Sequence, residues 1–116
     1  NPKKLTGYFV DMSSGPLIEG KTVIWTWTAH GDQEVKVKQI VENSKIILEW
    51  EALGGDFTTA QMDFTALGDT KTLVKISESG WPATETGLKG SYDYCSGWHH
   101  MSMCMKSYLE HGIDLR

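Results

Sequence analysis

The last quarter of the chain, residues 86–112, carries a repeat of large side chains at helical spacing. The repeat advances in steps of three and four residues through Tyr94, Trp98, Met101, Met105 and Tyr108. On an α-helix these side chains form one continuous stripe, and such a stripe must be covered. Because the upstream segments have the pattern of strands, we expect a sheet to cover it. Gly112 follows the repeat, and glycine is the usual residue at the left-handed position that ends a helix.

Glycines interrupt this predicted helix. Each glycine inside a helix costs about 1 kcal/mol relative to alanine, so some contact must offset the loss. Gly90, Gly97, Cys104 and His111 recur at seven-residue spacing, which indicates a narrow side where the helix approaches another backbone closely. The alternative is that the first turns fray around Gly87 and Gly90. The sequence leaves both interpretations open.

Upstream of the helix, apolar and polar side chains alternate as in half-buried strands. Asn1 and Pro2 predict the cap and first position of a short helix over the first nine residues, followed by a loop at Ser13-Ser14-Gly15-Pro16. Five strands are then predicted at residues 22–28, 34–42, 46–51, 58–66 and 72–79, with turns such as Leu53-Gly54-Gly55-Asp56 between them. Such short connections predict an antiparallel meander and hence an α+β fold.

Length and charge limit the class of protein. The 116 residues, 40% of them hydrophobic, predict a single domain over residues 1–116 with one modest core. A formal charge of −4 and the lack of a basic run argue against nucleic acid as a partner. No apolar run approaches the ~20 residues of a membrane span and no secretory leader is visible, so we expect a cytoplasmic protein. Because the chain opens in mid-structure, we expect a strand and a helix to precede Asn1 in the complete protein.

Two Cys/His pairs in the predicted helix have a spacing that metal ligands use. Cys95/His99 and His100/Cys104 lie four residues apart, but on different sides of the helix, so each supplies at most two of the about four ligands of a zinc site. We therefore expect no metal and no cofactor. Cys95 and Cys104 are separated by about 13 Å along the helix, too far for a disulfide, so both are expected to be free thiols.

The side chains predicted to face inward are rich in tryptophan and methionine. Such linings adapt to varied apolar shapes, and a sheet curved around the helix could leave a cavity for a small apolar molecule. The alternative is that these large residues simply fill the core. The residues predicted to line the pocket are Trp25, Trp27, Val37, Gln39, Leu48, Trp50, Met62, Phe64, Tyr94, Trp98, Met101 and Met105.

The whole chain resembles a known family. The evidence is the order of a short helix, a meander and a long helix, with Ser79-Gly80-Trp81 before that helix and Gly97-Trp98 and Tyr108-Leu109-Glu110 within it. The chain is similar to the bacterial branch of the activators of the 90-kDa heat-shock protein ATPase, in the START-like (SRPBCC) superfamily. The resemblance implies a helix-grip fold, in which a bent antiparallel sheet wraps around the last helix, and the absence here of the family's first strand and first helix.

Function remains open among three classes. The first is noncatalytic binding of a small hydrophobic molecule, lipid-like or aromatic. The second, implied by the resemblance, is a protein-interaction domain that regulates a chaperone in the stress response; a homodimer is also left open. The third is a polyketide cyclase-like or aromatase-like enzyme. No catalytic residue is assigned, because no nucleophile elbow or phosphate loop is present. Only Gln39, if its strand does not bulge, and Tyr94 are candidates to orient or protonate a substrate.

Overall fold

A computed structural model describes residues 2–52 and 55–116 of the chain. The cap predicted at Asn1 and the first half of the turn predicted at Leu53-Gly54 lie outside the described residues. The elements in chain order are α1 Pro2–Tyr8, β1 Met12–Ser13, β2 Thr22–Trp27, β3 Gly31–Val41, β4 Lys45–Glu51, β5 Phe57–Ala66, β6 Thr72–Ser79 and α2 Glu85–His111.

The strands form one antiparallel sheet in which each strand pairs with its neighbours in the sequence. Together with the long second helix, this arrangement confirms the predicted α+β, helix-grip fold. The short strand β1 was not predicted. It consists of two residues, Met12 and Ser13, paired with Thr26 and Trp25 of β2. Two residues are too few to show a period in the sequence, so its position depends on the partner strand.

A β-bulge in β3 reverses which residues face the core. Val37 pairs with Leu48, but Gln39 pairs with the next residue back along β4, Ile47, so Lys38 is the extra residue. From this point Ile40 packs on the core, while Gln39 and Val41 are exposed on the other face of the sheet. The prediction that Gln39 lines the pocket together with Val37 is therefore wrong, because the bulge shifts the alternation by one residue.

Helix α2 has a cap at each end. The Thr84 side chain accepts a hydrogen bond from Gly87 N at 3.0 Å, which satisfies one free amide of the first turn. Gly112 has φ +70° and donates its amide to Tyr108 O, so the predicted helix end is confirmed. The predicted stripe faces the protein: Met101 is buried, and Tyr94, Trp98, Met105 and Tyr108 are half-buried.

The glycines of α2 fall into two groups. A Cβ at Gly87 would lie 2.1 Å from the carbonyl oxygen of Pro82, and one at Gly90 would lie 3.0 Å from the Trp81 ring. These close contacts, and a helix that begins at Glu85, favour close approach over fraying for the first two glycines. At Gly97 no described atom outside the helix lies within 4 Å of the Cβ position, so the predicted close approach is wrong there.

The segment after α2 returns to the end of α1. The Arg116 guanidinium donates hydrogen bonds to Thr6 O at 3.0 Å and Val10 O at 3.2 Å. Hydrogen bonds from the side chain and backbone of Arg116 lower the pKa of Asp114 to about 2. These contacts fix the end of α1 against the tail and so position Phe9, the first ring of the candidate site.

Gly87→Ala and Gly97→Ala should change the free energy of unfolding in opposite directions. At Gly87 the added methyl group meets a backbone oxygen, so the chain must shift, and we expect a loss of about 1–3 kcal/mol. At Gly97 the methyl group enters open space and helix propensity improves, so we expect a gain of up to about 1 kcal/mol. Urea unfolding followed by circular dichroism measures both, and effects of the same sign would contradict the contacts described.

Candidate functional site

A layer of aromatic rings lies between the sheet and α2. Phe9 contacts the rings of Trp25, Trp27 and Trp98, with centroid distances of 5.3, 5.2 and 5.9 Å. Trp50 stacks on Trp98 with a centroid distance of 5.4 Å and an angle of 10° between the ring planes. The rings come from the end of α1, two strands and the helix, so aromatic contacts join all the layers of the fold.

One carboxylate holds the stacked pair in place. Glu78 Oε1 accepts a hydrogen bond from Trp98 Nε1 at 2.8 Å, and Oε2 accepts bonds from Trp50 Nε1 at 3.2 Å and from the Thr58 hydroxyl at 2.6 Å. Within the described residues, no Lys, Arg or His nitrogen forms an ion pair with this carboxylate. Glu78 therefore links β4, β5, β6 and α2 through neutral donors alone.

Sequence reasoning missed Glu78, although the pattern contains a signal for it. In the last strand, Val74 and Ile76 alternate with polar residues, and Glu78 is the next residue in that alternation. A carboxylate on the inner face of a sheet needs hydrogen-bond donors, and the tryptophans predicted for the same face carry them.

The other two indole N–H groups of the layer differ in whether they have a hydrogen-bond acceptor. Trp27 Nε1 donates to Phe9 O at 2.9 Å, a bond that ties β2 to the end of α1. Trp25 is 1% exposed, and its Nε1 has no hydrogen-bond partner among the described residues. Its ring contacts Phe9, Trp27 and Trp50, so packing alone holds it there.

The rings of Phe9, Trp27, Trp50 and Trp98 form one wall of a partly open cleft of about 460 Å³ between the β2–β3 turn and α2. The turn residues form its mouth on one side and one face of the helix forms the other. The lining residues are Phe9, Trp27, His30, Gly31, Asp32, Gln33, Trp50, Asp93, Tyr94, Gly97 and Trp98.

Four of the twelve predicted pocket residues line this cleft: Trp27, Trp50, Tyr94 and Trp98. The others are placed elsewhere. Trp25, Val37, Leu48 and Met101 are buried in the core, and Met62, Phe64 and Met105 are half-buried away from the cleft lining. Gln39 is exposed on the other face of the sheet.

The polar part of the cleft was not predicted. His30 belongs to the β2–β3 turn, Asp32 and Gln33 belong to the start of β3, and Asp93 and Gly97 follow no pattern that distinguishes them from exposed helix positions. Gly97 was the one sequence signal for this part of the cleft, because a glycine in the middle of a helix usually has a packing or functional reason. Its lack of a side chain leaves the helix face open at the cleft.

The Cys/His pairs of α2 lie apart from the cleft lining. Cys104 is buried, with Sγ 3.6 Å from His100 Nε2, whereas Cys95 and His99 are exposed. Both cysteines are free. In residues 2–52 and 55–116, no three His, Cys, Asp or Glu side chains are grouped to hold a metal ion.

Glu78→Gln should destabilise the protein more than a matched surface change. The glutamine amide would present an N–H group where one indole donor now meets an oxygen, leaving partly buried donors unsatisfied at about 1–3 kcal/mol. Urea unfolding gives the free energy of unfolding, and near-ultraviolet circular dichroism gives the order of the tryptophans. Glu51→Gln, at an exposed position of strand β4, is the control. Equal stability of the two variants would show that the Glu78 bonds are not needed.

The sequence profile of the family described as activator of Hsp90 ATPase homolog 1-like protein matches residues 3–110. No curated protein matches the chain significantly. Among the described residues, no helix is long and apolar enough to cross a membrane.

Solved structures share the fold. Protein SSP2350 from Staphylococcus saprophyticus is 24% identical with a TM-score of 0.80, over 99% of this chain and 80% of that one. DynU16, from the dynemicin biosynthetic locus, is 18% identical with a TM-score of 0.81, over 96% of this chain and 40% of its own length. Protein MLL2253 from Mesorhizobium loti is 12% identical with a TM-score of 0.73, over 94% and 88%.

At these identities the structural likeness shows the fold alone, whereas the profile match covers nearly the whole chain. The expected resemblance is thereby confirmed. The chain belongs to the family of activator of Hsp90 ATPase homolog 1-like proteins.

Proposed function

We propose that this protein binds a small hydrophobic molecule in the cleft between the β2–β3 turn and α2, without catalysing its conversion. The observation that carries the proposal is a cleft wall made of Trp27, Trp50 and Trp98 together with Phe9 and Tyr94. Large aromatic surfaces in a concave site are the usual means of binding an apolar ligand, and the volume of about 460 Å³ suits a small molecule.

The wall is held in position before any ligand arrives. Glu78 holds both indoles of the stacked pair, and Trp27 is bonded to the backbone of Phe9. Ordering a mobile side chain on binding costs about 0.5–1.5 kcal/mol, so a fixed wall keeps more of the contact energy as affinity. This arrangement favours reversible binding.

The family description supports a second candidate, regulation of a chaperone through direct contact. The partner would then be the cognate 90-kDa heat-shock protein. A pull-down with purified chaperone tests this candidate, and a loss of retention in a variant with a filled cleft would connect the two functions. No retention of the unmodified protein would dismiss it.

An enzymatic role of the cyclase or aromatase type needs polar groups that converge on the ligand. Of the two residues predicted for that task, Tyr94 lines the cleft and Gln39 does not. The likeness to DynU16 concerns the fold, at 18% identity. Binding without chemistry therefore has the stronger support.

Gly97→Leu should abolish binding while the fold is kept. The new side chain would project from α2 into open space at the cleft, so it occupies the ligand's volume without displacing a core residue. We expect at least a tenfold loss of affinity, which corresponds to about 1.4 kcal/mol. The probe is the neutral fluorescent molecule N-phenyl-1-naphthylamine, titrated by its own emission and by tryptophan quenching.

Ser96→Leu is the matched control, because it places the same side chain on an exposed neighbouring helix position outside the cleft lining. It should bind the probe as the unmodified protein does. If the unmodified protein failed to bind this probe and a library of lipids and aromatic compounds, or if both variants bound normally, the proposed function would be refuted.

A further inference from the structure

Resting on the proposed function, we infer that the ligand of the cleft is an organic cation, an ammonium or amidinium group that carries apolar substituents. Three features support this class of ligand: the aromatic wall, the carboxylates around it, and the lack of a lysine or arginine among the residues that line the cleft.

The wall attracts a cation through its ring faces. Three tryptophans, a tyrosine and a phenylalanine contribute to the lining, and tryptophan has the strongest attraction for a cation above its ring. A cation–π contact is worth more as water is excluded from it, and a cleft between two elements excludes more water than an open surface does. A neutral apolar ligand would gain the same area of contact without this electrostatic attraction.

Three carboxylates lie in or next to the wall. Asp32 at the start of β3 and Asp93 on α2 belong to the cleft lining, and Glu78 accepts hydrogen bonds from the stacked indoles of Trp50 and Trp98. The described residues give none of these carboxylates an ion pair. Their hydrogen-bond donors are neutral: two indoles and a hydroxyl at Glu78, and the Thr26 hydroxyl at Asp32 at 2.7 Å.

Positive charge is scarce in the same space. Neither lysine nor arginine lines the cleft, and His30 is the ionisable nitrogen there. Carboxylates around a concave, low-dielectric wall concentrate a negative potential within it. An anionic ligand, including a fatty acid, would be repelled by Asp32 and Asp93 with no lysine or arginine in the lining to offset that repulsion, whereas a cation would be attracted by both carboxylates.

A metal ion does not fit these residues. Calcium and magnesium need six or more oxygen ligands in a compact shell, and transition metals need several imidazoles, thiolates or carboxylates together. The described residues include no such group of three. The cleft lining combines aromatic side chains with the carboxylates of Asp32 and Asp93, which fits a diffuse charge on an apolar body.

Three probes of nearly the same shape and different charge test the inference. Benzyltrimethylammonium is the cation, neopentylbenzene its neutral isostere, and phenylmethanesulfonate the anion. Each is titrated by displacement of N-phenyl-1-naphthylamine at constant pH. We expect the cation to bind at least tenfold more tightly than the neutral isostere and the anion to bind most weakly. Higher ionic strength should weaken the binding of the cation alone.

A charge-neutral variant separates electrostatics from shape. Asp32→Asn combined with Asp93→Asn keeps the size of both side chains, and the amide oxygen introduced at position 32 can still accept a hydrogen bond from the Thr26 hydroxyl. We expect cation affinity to fall about three- to tenfold relative to the affinity of the same variant for the neutral probe. The control pair, Glu42→Gln with Asp69→Asn, makes the same change in net charge at exposed positions outside the cleft lining and should leave all three affinities unchanged.

The outcomes are distinguishable. If the neutral probe binds and Gly97→Leu abolishes that binding, but the cation shows no preference or the anion binds best, the cation inference is refuted while the proposed function stands. If no probe binds, both are refuted. An equal loss of cation affinity in the cleft pair and the control pair would trace the preference to net charge and also refute the inference.

Discussion

The structure depends on the carboxylate of Glu78 and the two indole N–H groups that donate to it. Glu78 comes from β6, Trp50 from β4 and Trp98 from α2, and the Thr58 hydroxyl of β5 completes the set. A carboxylate removed from water is costly unless its lone pairs are satisfied, and an indole N–H removed from water needs an acceptor. Each group therefore requires the others, and this mutual requirement fixes how the helix sits on the sheet.

This arrangement also explains why the fold contains a cleft. Where small residues face each other, α2 approaches its neighbours closely, as at Gly87 against Pro82. Further along, the helix is supported by the stacked rings of Trp50 and Trp98, which are far larger. The helix face beyond that support, at Gly97, has no side chain to fill the space between the helix and the β2–β3 turn. The opening therefore exists because Trp98, with its large side chain, is adjacent to Gly97, which has none.

The sequence predicts the fold better than it predicts the site. Alternation in the strands after the first turn and the three- and four-residue steps of α2 are strong local signals, because one face of each element is buried over many residues. The bulge at Lys38 has no such signal, and one extra residue is enough to move Gln39 to the outer face. The cleft joins His30 of the β2–β3 turn and Asp32 of β3 to Asp93 and Gly97 of a helix. Only the tertiary arrangement brings these residues together.

The aromatic wall and the mouth of the cleft are under different physical constraints. Trp50 and Trp98 contribute to stability whether or not a ligand is present, since their rings stack and their N–H groups satisfy Glu78. Asp93 is exposed and forms no ion pair in the described part of the chain, so folding alone does not require its charge. Selectivity can then change at the mouth without altering the support of the helix. The proposed charge of the ligand therefore rests on the residues around the wall, and its proposed apolar character rests on the wall itself.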